Sequence, residues 1–441
     1  MKVSSGAPAE TPVPSVINVG LMGLGVVGAG VAATLLRETA PLSDVTGRPV
    51  NLKKVLVRDL SRPRDIDLPS GLLTTNAEDI LSDPDIHILV EVMGGTDPAE
   101  GYLKQGISAG KHVVTANKEV MAKSGPDLLA LARANGVNLL FEASVGGGIP
   151  IVGCLMNELA ANDIRSIRSI INGTTNYILT RMAHQGASFQ QALAEAQELG
   201  YAEADPTNDI EGIDAAYKLT ILASLAYRRR FQPSDIYCEG ISKLEPQDFR
   251  YAKELGYAIK SLAIANLEDG AVQLRVYPAL VPSEHMLAKV DGVYNAVEID
   301  GSLCGQVLFH GMGAGRGPTT SAVVGDVIEA ARRMGGQSQP PEVRNGADLT
   351  VRPIGDLEVR YYIRLDVADH PGVLARIAQI LGDGEISIAA VLQKDTQPET
   401  ESAEIVITTH PAREESVRKA LQAIAGLPQV RRVSNTLRIE E

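Results

Sequence analysis

A glycine-rich segment near the start of the chain restricts the possible folds more than any other part of the sequence. Gly23-Leu-Gly25-Val-Val-Gly28 follows the apolar, strand-like stretch Val16–Leu21 and leads into the helix-like stretch Gly28–Leu36. Glycines at this spacing permit a tight turn, a close approach of the backbone to a pyrophosphate, and close helix–strand packing. Since the motif stands between a strand and a helix, it predicts a dinucleotide site, with a glycine-rich turn of another α/β protein as the alternative. The residues expected to contact the dinucleotide are Gly23, Leu24, Gly25, Val26, Val27 and Gly28.

The chain around this segment is uncharged from Thr11 to Leu36, which is long enough to mimic a membrane span. Asn18 and the glycines inside the run favour a strand, a turn and a buried helix instead, so we expect no membrane association. The net charge of −13 disfavours nucleic acid as a partner. Cys154, Cys238 and Cys304 are far apart in sequence, which indicates neither a disulfide framework nor a zinc site and fits the reducing cytoplasm.

The order of predicted elements divides the chain into three domains of an overall α/β fold class. Strands alternate with helices at first, as in a Rossmann-type, doubly wound parallel sheet. An α+β domain follows, and the last segment has the βαββαβ order of a ferredoxin-like module. The predicted boundaries are 1–14 for a flexible tail, 15–145 for the dinucleotide-binding domain, 146–334 for the α+β domain, 335–356 for a Pro/Gly-rich linker and 357–441 for the C-terminal module.

Two groups of residues follow predicted strands at the edge where parallel sheets bind ligands. Asp59 comes 36 positions after Gly23, rather than the usual distance of about 20 for a ribose-binding acid, and it follows Arg58. An arginine there can bind a 2′-phosphate, which favours NADP over NAD, and a solvated Arg–Asp pair is an equal alternative. Thr115-Ala-Asn-Lys118 follows another strand, which places Thr115 and Lys118 beside the cofactor, although most lysines after strands are merely solvated.

The stretch Gly200–Lys218 holds several carboxylates in a proline-containing loop before an apolar helix. Asp214 and Lys218 are four residues apart, so a helix would project both from one face. A buried lysine near a second cation would have a lowered pKa and could donate a proton to a carbonyl oxygen, with Asp214 orienting it. An ordinary salt bridge on a helix surface is the alternative.

Two further loops are suited to ligand binding, although either alone is more often an ordinary turn. Glu142–Pro150 is rich in glycine and exposes backbone carbonyls that could bind a hard cation. Asn172–Asn176 groups small hydroxyl and amide donors suited to a substrate carboxylate. The candidate substrate residues in this second loop are Asn172, Gly173, Thr174 and Thr175.

Taken together, these motifs resemble those of homoserine dehydrogenases, in the form that carries a C-terminal ACT domain. The resemblance extends from about Val16 to the C-terminus and implies reversible interconversion of L-homoserine and L-aspartate 4-semialdehyde with NADP or NAD. The motifs that carry it are GLMGLGVVG, VEVMGG, TANKEVMA, FEASVGGGIP, INGTTNYIL, GYAEADPTNDIEGIDAAYK, GMGAGRGPT and DHPGVLARIAQIL.

The resemblance also implies roles for single residues. Lys218 would be the general acid/base, and Lys118 the second active-site lysine. Glu203 would hold the substrate amino group, with Asp209 and Asp214 supporting the site. Gly315 would contact the cofactor. A monovalent cation such as Na+ would be bound, mainly through backbone carbonyls, by Glu142, Val145, Gly147 and Ile149.

The motif Asp369–Leu374 lies before a predicted helix, where ACT domains often bind an amino acid. The expected effector residues are Asp369, Gly372, Val373 and Leu374. The family and its pathway imply L-threonine as the effector and a homodimer or homotetramer as the assembly, whereas an ACT domain that serves only assembly is the alternative.

Two other functions stay open on the sequence. A 2-hydroxy acid dehydrogenase would favour a histidine–carboxylate pair, but the seven histidines lie outside the lysine–carboxylate motifs. An amino-acid sensor without catalysis is disfavoured by the presence of both lysines with Glu203 and Asp214.

Overall fold

The computed structural model describes residues 14–64, 66–334, 349–397 and 402–440. The chain forms two compact units, and it passes between them more than once. The first unit contains the chain up to Ala160, Ser224–Arg230 and the segment from Met312, whereas the second contains Ala161–Ala223, Phe231–Gly311 and the C-terminal part. Most of the predicted tail (1–13) and most of the predicted linker (335–348) lie outside the described residues.

Strands and helices alternate in the first unit, as the sequence predicts. The elements up to Ala160 are β1 (Ile17–Met22), α1 (Val26–Arg37), α2 (Thr39–Thr46), β2 (Val50–Leu56), β3 (Leu73–Thr74), α3 (Glu78–Leu81), β4 (Ile88–Glu91), α4 (Ala99–Ser108), β5 (His112–Thr115), α5 (Lys118–Ala134), β6 (Leu139–Leu140) and α6 (Val152–Met156). Among the described residues, six strands form one parallel sheet in the order β3-β2-β1-β4-β5-β6. This order is that of a dinucleotide-binding fold, and it brings the carboxyl ends of β1, β2, β4 and β5 to one edge.

The second unit begins with a strand and four helices and continues into long antiparallel strands. Its first elements are β7 (Ile164–Ile170), α7 (Gly173–Gln185), α8 (Phe189–Glu198), α9 (Thr207–Ile210), α10 (Ile213–Ala226), β8 (Tyr237–Cys238), α11 (Pro246–Glu254), β9 (Tyr257–Glu268), β10 (Ala271–Pro282), β11 (Tyr294–Gly301) and β12 (Gly305–Met312). The end of α10 crosses into the first unit.

Helix α12 (Arg316–Arg333) packs on the first unit, whereas the predicted boundary at residue 334 places it in the second domain. The physical reason is a close contact between two helices. A Cβ at Gly30 of α1 would lie 2.1 Å from Thr320 Oγ1, so only glycine allows this approach. Val323 and Val327 of α12 then share a core with Val31 and Ile17.

The C-terminal elements have the predicted βαββαβ order. They are β13 (Thr350–Val351), β14 (Glu358–Ala368), α13 (Val373–Asp383), β15 (Ile388–Gln397), β16 (Ser402–Thr409), β17 (Ala412–Arg413), α14 (Glu414–Ala425) and β18 (Val430–Ile439). Their main strands follow the order β18-β14-β16-β15. This is the strand order of a ferredoxin-like module, and the predicted α/β fold class with its three kinds of domain is confirmed.

The C-terminal module is continuous with the rest of the second unit. β18 pairs in parallel with β10, with Ala279 opposite Arg438, so that a single sheet runs through both parts. One face of the module packs on its own helices α13 and α14. The other face places Tyr362 and Leu437 in a core with Phe249 of α11. In the described residues, no helix has the length and apolarity needed to cross a membrane.

Candidate active site

The glycine-rich turn after β1 has the geometry that phosphate binding requires. Gly23 adopts φ +100°, which favours glycine, and a Cβ at Gly28 would lie only 2.1 Å from the Gly23 carbonyl oxygen. A Cβ at Gly25 would meet no atom within 4 Å, and no side chain of the described residues caps the N-terminus of α1. The free amides and the helix dipole therefore face open space that fits a pyrophosphate. Leu24, Val26 and Val27 flank this space without being buried.

The carboxyl ends of β4 and β5 are joined by a buried pair that the sequence analysis missed. Thr115 Oγ1 donates to Glu91 Oε2 at 2.6 Å, and both residues are 0% exposed. Glu91 Oε1 also accepts from the amide of Met93 at 2.7 Å. The Thr115 side chain therefore connects the carboxyl ends of β4 and β5. The predicted strands alone do not indicate that Glu91 is its partner.

Lys118 is the first residue of α5 and is half-buried. The preceding Asn117 caps this helix by accepting from the amide of Val120, and its side-chain amide donates to the carbonyl of Gly95 at 2.7 Å. Lys118 is thereby placed at the edge of the sheet where β4 and β5 end. It belongs to the first unit, together with the glycine-rich turn.

The loop after β2 carries arginines beside the glycine-rich turn. The amide of Gly23 donates to the carbonyl of Leu56 at 3.1 Å, which ties the end of β2 to the turn. Arg58 and Asp59 are exposed, and Asp59 accepts from the Ser61 amide and hydroxyl. These hydrogen bonds hold the pKa of Asp59 below its ordinary value. Asp59 therefore shapes the loop, and the neighbouring Arg58 is exposed.

The segment that leads to Gly315 packs against the predicted cation loop in the first unit. Gly315 has φ +112° and precedes α12. A Cβ at Gly147 would lie 2.5 Å from the Gly313 carbonyl oxygen, and the Gly148 amide donates to the Met312 carbonyl at 3.0 Å. The backbone at Gly147 and Gly148 therefore closely approaches the backbone at Met312 and Gly313.

The Glu142 side chain binds backbone amides of the protein. Its two carboxylate oxygens accept from the amides of Val152 at 2.8 Å and Gly153 at 2.6 Å, and so cap helix α6. The Glu142 amide donates to Asp326, and burial raises the pKa of both carboxyl groups. No cluster of three or more His, Cys, Asp or Glu side chains suited to a metal occurs in the described part of the chain. A cation in this loop would thus depend on carbonyl oxygens.

Lys218 lies at the centre of a hydrogen-bonded cluster in the second unit. Its Nζ donates to Asp214 Oδ2 and to the Ile171 carbonyl oxygen, both at 2.7 Å. The Lys218 side chain is 12% exposed and that of Asp214 is 6% exposed. The pair is therefore not an ordinary surface salt bridge of helix α10. The lysine is fixed from two sides and stays partly exposed.

Asn172 connects this lysine cluster with α9. Its Nδ2 donates to Asp209 Oδ1 at 2.7 Å and to Asp214 Oδ2 at 2.9 Å, while its Oδ1 accepts from the Thr175 amide and begins α7. The side-chain groups of Asn172 are thus engaged within the protein and position the two aspartates. The sequence had suggested that they bind substrate directly.

The neighbouring threonines are also engaged with the backbone. Thr174 Oγ1 donates to the Tyr201 carbonyl at 2.6 Å, and Thr175 Oγ1 donates to the Asn172 carbonyl at 3.1 Å. A Cβ at Gly173 would lie 2.9 Å from the Val293 carbonyl oxygen. Glu203, in contrast, exposes its carboxylate while its backbone carbonyl accepts from Gln197. Glu203 therefore retains an exposed, available charge.

The turn before α13 is exposed. Gly372 has φ +90° and begins the helix, Asp369 is exposed, and Leu374 is 37% exposed while Val373 is buried. A single turn of this kind offers backbone amides and an apolar edge to a ligand.

The parallel sheet with its glycine-rich turn, the buried lysine–aspartate cluster and the ferredoxin-like module define a class: a nicotinamide-dependent oxidoreductase with an attached regulatory domain. Family models agree with each part. Residues 23–142 match "Homoserine dehydrogenase, NAD binding domain", residues 150–328 match "Homoserine dehydrogenase", and residues 361–429 match "ACT domain". The chain belongs to the homoserine dehydrogenase family, whose members are oxidoreductases acting on a CH–OH group.

Relatives that match over the full length are also homoserine dehydrogenases. The chain is 44% identical to the homoserine dehydrogenase of Synechocystis sp. over 433 residues, covering 96% of the chain and 99% of the relative. It is 39% identical to that of Bacillus subtilis, with 96% and 98% covered. Among solved structures, a homoserine dehydrogenase from Thiobacillus denitrificans superposes with a TM-score of 0.90 at 44% identity, covering 97% of this chain and 98% of that one. A hyperthermophilic archaeal homoserine dehydrogenase in complex with NADPH gives a TM-score of 0.61 at 27% identity, covering 75% of this chain and 100% of that one.

Proposed function

We propose that the chain interconverts L-homoserine and L-aspartate 4-semialdehyde with NADP(H), with Lys218 as the general acid/base. The observation that carries this proposal is the fixed, nearly buried ammonium group of Lys218. Within the described residues, hydrogen bonds to Asp214 and Ile171 use two of its three protons, so the third remains for a substrate oxygen. The bound nicotinamide supplies or accepts the hydride.

In the reducing direction, Lys218 donates a proton to the aldehyde oxygen as that oxygen gains negative charge. Asp214 keeps the ammonium group oriented, and Asn172 keeps Asp214 oriented in turn. In the oxidising direction, the same nitrogen receives the hydroxyl proton of the substrate. We propose that Lys118, at the start of α5, lies beside the substrate and the nicotinamide. The support is the family resemblance and its place next to the carboxyl ends of β4 and β5.

We assign the substrate amino group to Glu203. Its exposed carboxylate is available, whereas the donors of Asn172, Thr174 and Thr175 have partners within the protein. Asp209, held by Asn172, would support the same site.

Substitution of Glu203 tests this assignment. Glu203→Gln removes the charge that pairs with the substrate ammonium, so KM for homoserine should rise about 10- to 100-fold with a smaller change in kcat. Steady-state kinetics at saturating NADP+ measures both constants. Glu198→Gln, an exposed position at the end of α8, should leave both constants near wild type. An unchanged KM in Glu203→Gln would remove Glu203 from the substrate site.

We propose that Arg58 binds the 2′-phosphate of NADP. The support is its exposed place after β2, next to the glycine-rich turn. NAD can still bind, because it lacks only the 2′-phosphate that would contact Arg58.

Substitution of Arg58 separates the two cofactors. Arg58→Ala should raise KM for NADPH about tenfold, since one charge-assisted contact is lost, and should leave KM for NADH nearly unchanged. Arg37→Ala, at the far end of α1, is the matched control. Equal effects on both cofactors, or no effect on NADPH, would contradict the assignment.

We propose a monovalent cation such as Na+ in the loop of Glu142, Val145, Gly147 and Ile149. The carbonyls of Val145 and Gly147 accept no backbone hydrogen bond from other described residues, whereas the Ile149 carbonyl already accepts from the Ile151 amide. Glu142 would contribute its carbonyl only, because its carboxylate caps α6. The bound ion would stiffen the contact between this loop and the segment that leads to Gly315.

We further propose feedback control by L-threonine through the ACT domain, with the turn Asp369–Leu374 as the effector site that the resemblance implies. A homodimer or homotetramer is proposed from the same resemblance, and the position of β12 at the edge of its sheet supports it. Three separate free cysteines support a reducing, cytoplasmic location. Light scattering of the purified protein measures the assembly.

A further inference from the structure

Glu91, the last residue of β4, is a fully buried carboxylate at the edge of the parallel sheet where ligands bind. In the sheet it lies opposite Met22 of β1 on one side and Thr115 of β5 on the other. Central strands of such a sheet are usually apolar along their whole length. A carboxylate in this position costs free energy unless hydrogen-bond donors satisfy it, and its donors connect it to the site.

Both carboxylate oxygens of Glu91 accept a hydrogen bond. The Met93 amide donates to Oε1 at 2.7 Å, and the Thr115 hydroxyl donates to Oε2 at 2.6 Å. Thr115 Oγ1 in turn accepts from the Asn117 amide at 3.0 Å. A path of buried hydrogen bonds therefore runs from Asn117 through Thr115 and ends at the carboxylate.

This path holds the first turn of α5. Asn117 is 5% exposed, its Oδ1 accepts from the Val120 amide at 3.2 Å, and its Nδ2 donates to the Gly95 carbonyl at 2.7 Å. The next residue, Lys118, is the first of the helix. Since the backbone amide of Asn117 and both ends of its side chain are held, the position of Lys118 depends on the groups that Glu91 fixes.

The other oxygen of Glu91 holds the turn that follows β4, which packs on the glycine-rich turn. A Cβ at Gly23 would lie 2.9 Å from the Val92 carbonyl oxygen, and a Cβ at Gly28 would lie 3.2 Å from Val92 Cγ2. The Met93 amide comes directly after Val92 and donates to Glu91. One carboxylate thus connects the turn beside the glycine-rich segment with the start of α5.

We propose that Glu91 is a positioning residue for Lys118. It acts through Thr115 and Asn117 and does not touch the substrate. A carboxylate is required here because both neighbouring groups are donors, and a buried glutamine would turn its own donor toward one of them and leave a proton without an acceptor. The inference rests on the proposed place of Lys118 beside the substrate and the nicotinamide, and it adds the residue that holds Lys118 there.

Variants on this path and at its end test the proposal. Glu91→Gln replaces one acceptor with a donor, and Thr115→Val interrupts the next link with a side chain of similar shape. Each is made alone and together with Lys118→Met. Glu100→Gln is the matched control, because it also removes a carboxylate from the first unit, but from a side chain that is 29% exposed. Homoserine oxidation measures kcat, the fluorescence of bound NADPH measures its Kd, and hydrogen exchange with mass spectrometry measures the protection of amides at the start of α5.

Glu91→Gln and Thr115→Val should each lower kcat about 10- to 100-fold, as expected when a reacting group is displaced by about 1 Å. In Glu91→Gln, Kd for NADPH should stay within about threefold of wild type, and the amides at the start of α5 should exchange about tenfold faster. In the Lys118→Met background, neither substitution should lower kcat by more than about threefold, since the group that they position is already absent. Glu100→Gln should match the wild type in every measurement.

A wild-type kcat in Glu91→Gln would overturn the proposal. An equal fold-loss with and without Lys118 would also overturn it, because a merely structural role lowers kcat alike in both backgrounds. If Glu91→Gln does not fold, Thr115→Val gives the same comparison. A wild type that does not oxidise homoserine refutes the proposed function instead. The exchange at the start of α5 then decides the role of Glu91, and wild-type exchange in Glu91→Gln would contradict it.

Discussion

Replacement of Lys218 by methionine should lower kcat for homoserine oxidation by about 10²- to 10⁴-fold, the usual contribution of a general acid or base. Methionine keeps the length and volume of the side chain but removes the proton that the substrate oxygen needs. Because the loss concerns the transition state, kcat/KM should fall as much as kcat. Stopped-flow or steady-state absorbance of NADPH at saturating substrate measures the effect.

The matched control is Lys104→Met. Lys104 also pairs with a carboxylate four residues earlier on a helix, Glu100, but its side chain is 50% exposed. This variant should retain wild-type kcat, because an exposed ion pair contributes little. If Lys218→Met lost less than tenfold in kcat, Lys218 would not be the general acid/base. Cofactor binding by Lys218→Met should stay intact, which shows that the site is still folded.

Replacement of Arg364 by methionine should destabilise the second unit by about 3–5 kcal/mol. Arg364 on β14 is 2% exposed and donates to Asp248, Glu245 and Glu404 at 2.7–2.8 Å. Asp248 is 0% exposed, so loss of the arginine leaves a carboxylate without its counter-charge in the protein interior. The expected fall in Tm is about 6–20 °C for a unit of this size. Differential scanning calorimetry measures it.

Arg432→Met provides the control for this result. Arg432 also pairs with Glu245, but its side chain is 56% exposed. Its loss should cost no more than about 1 kcal/mol. A small Tm change in Arg364→Met would show that the junction between α11 and the C-terminal module does not depend on this ion cluster. The prediction concerns stability alone, since none of these residues touches the lysine cluster.

Much of the fold could be predicted because its signals are local. The strand before Gly23 and the helix after it occupy nearly the predicted residues, and so do the elements of the C-terminal module. The strand β9 (Tyr257–Glu268) has no clear local signal, because Lys260 interrupts its apolar residues. In the structure, Lys260 is buried and donates to the Val290 carbonyl and to Asp291. Tertiary partners of this kind leave no trace in the local pattern.

The site was predicted less completely than the fold. The spacing of Asp214 and Lys218 predicts a shared helix face, and the structure places them 2.7 Å apart. This spacing does not predict the role of Asn172, which lies at the start of α7 and donates hydrogen bonds to both Asp209 and Asp214. Whether a polar side chain is free for a ligand depends on hydrogen bonds formed across the fold, so Thr174 and Thr175 could not be distinguished from Glu203 by sequence. Glu91 was missed for the same reason.

The most direct test of the proposed reaction follows the hydride itself. The purified chain is incubated with L-aspartate 4-semialdehyde and NADPH that carries deuterium at the transferred position of the nicotinamide C4, and the products are analysed by mass spectrometry. The account predicts L-homoserine with one deuterium at C4, formed in equal amount to NADP+, and almost no product from Lys218→Met. Consumption of NADPH without deuterated homoserine, or no consumption by the wild type, would contradict it.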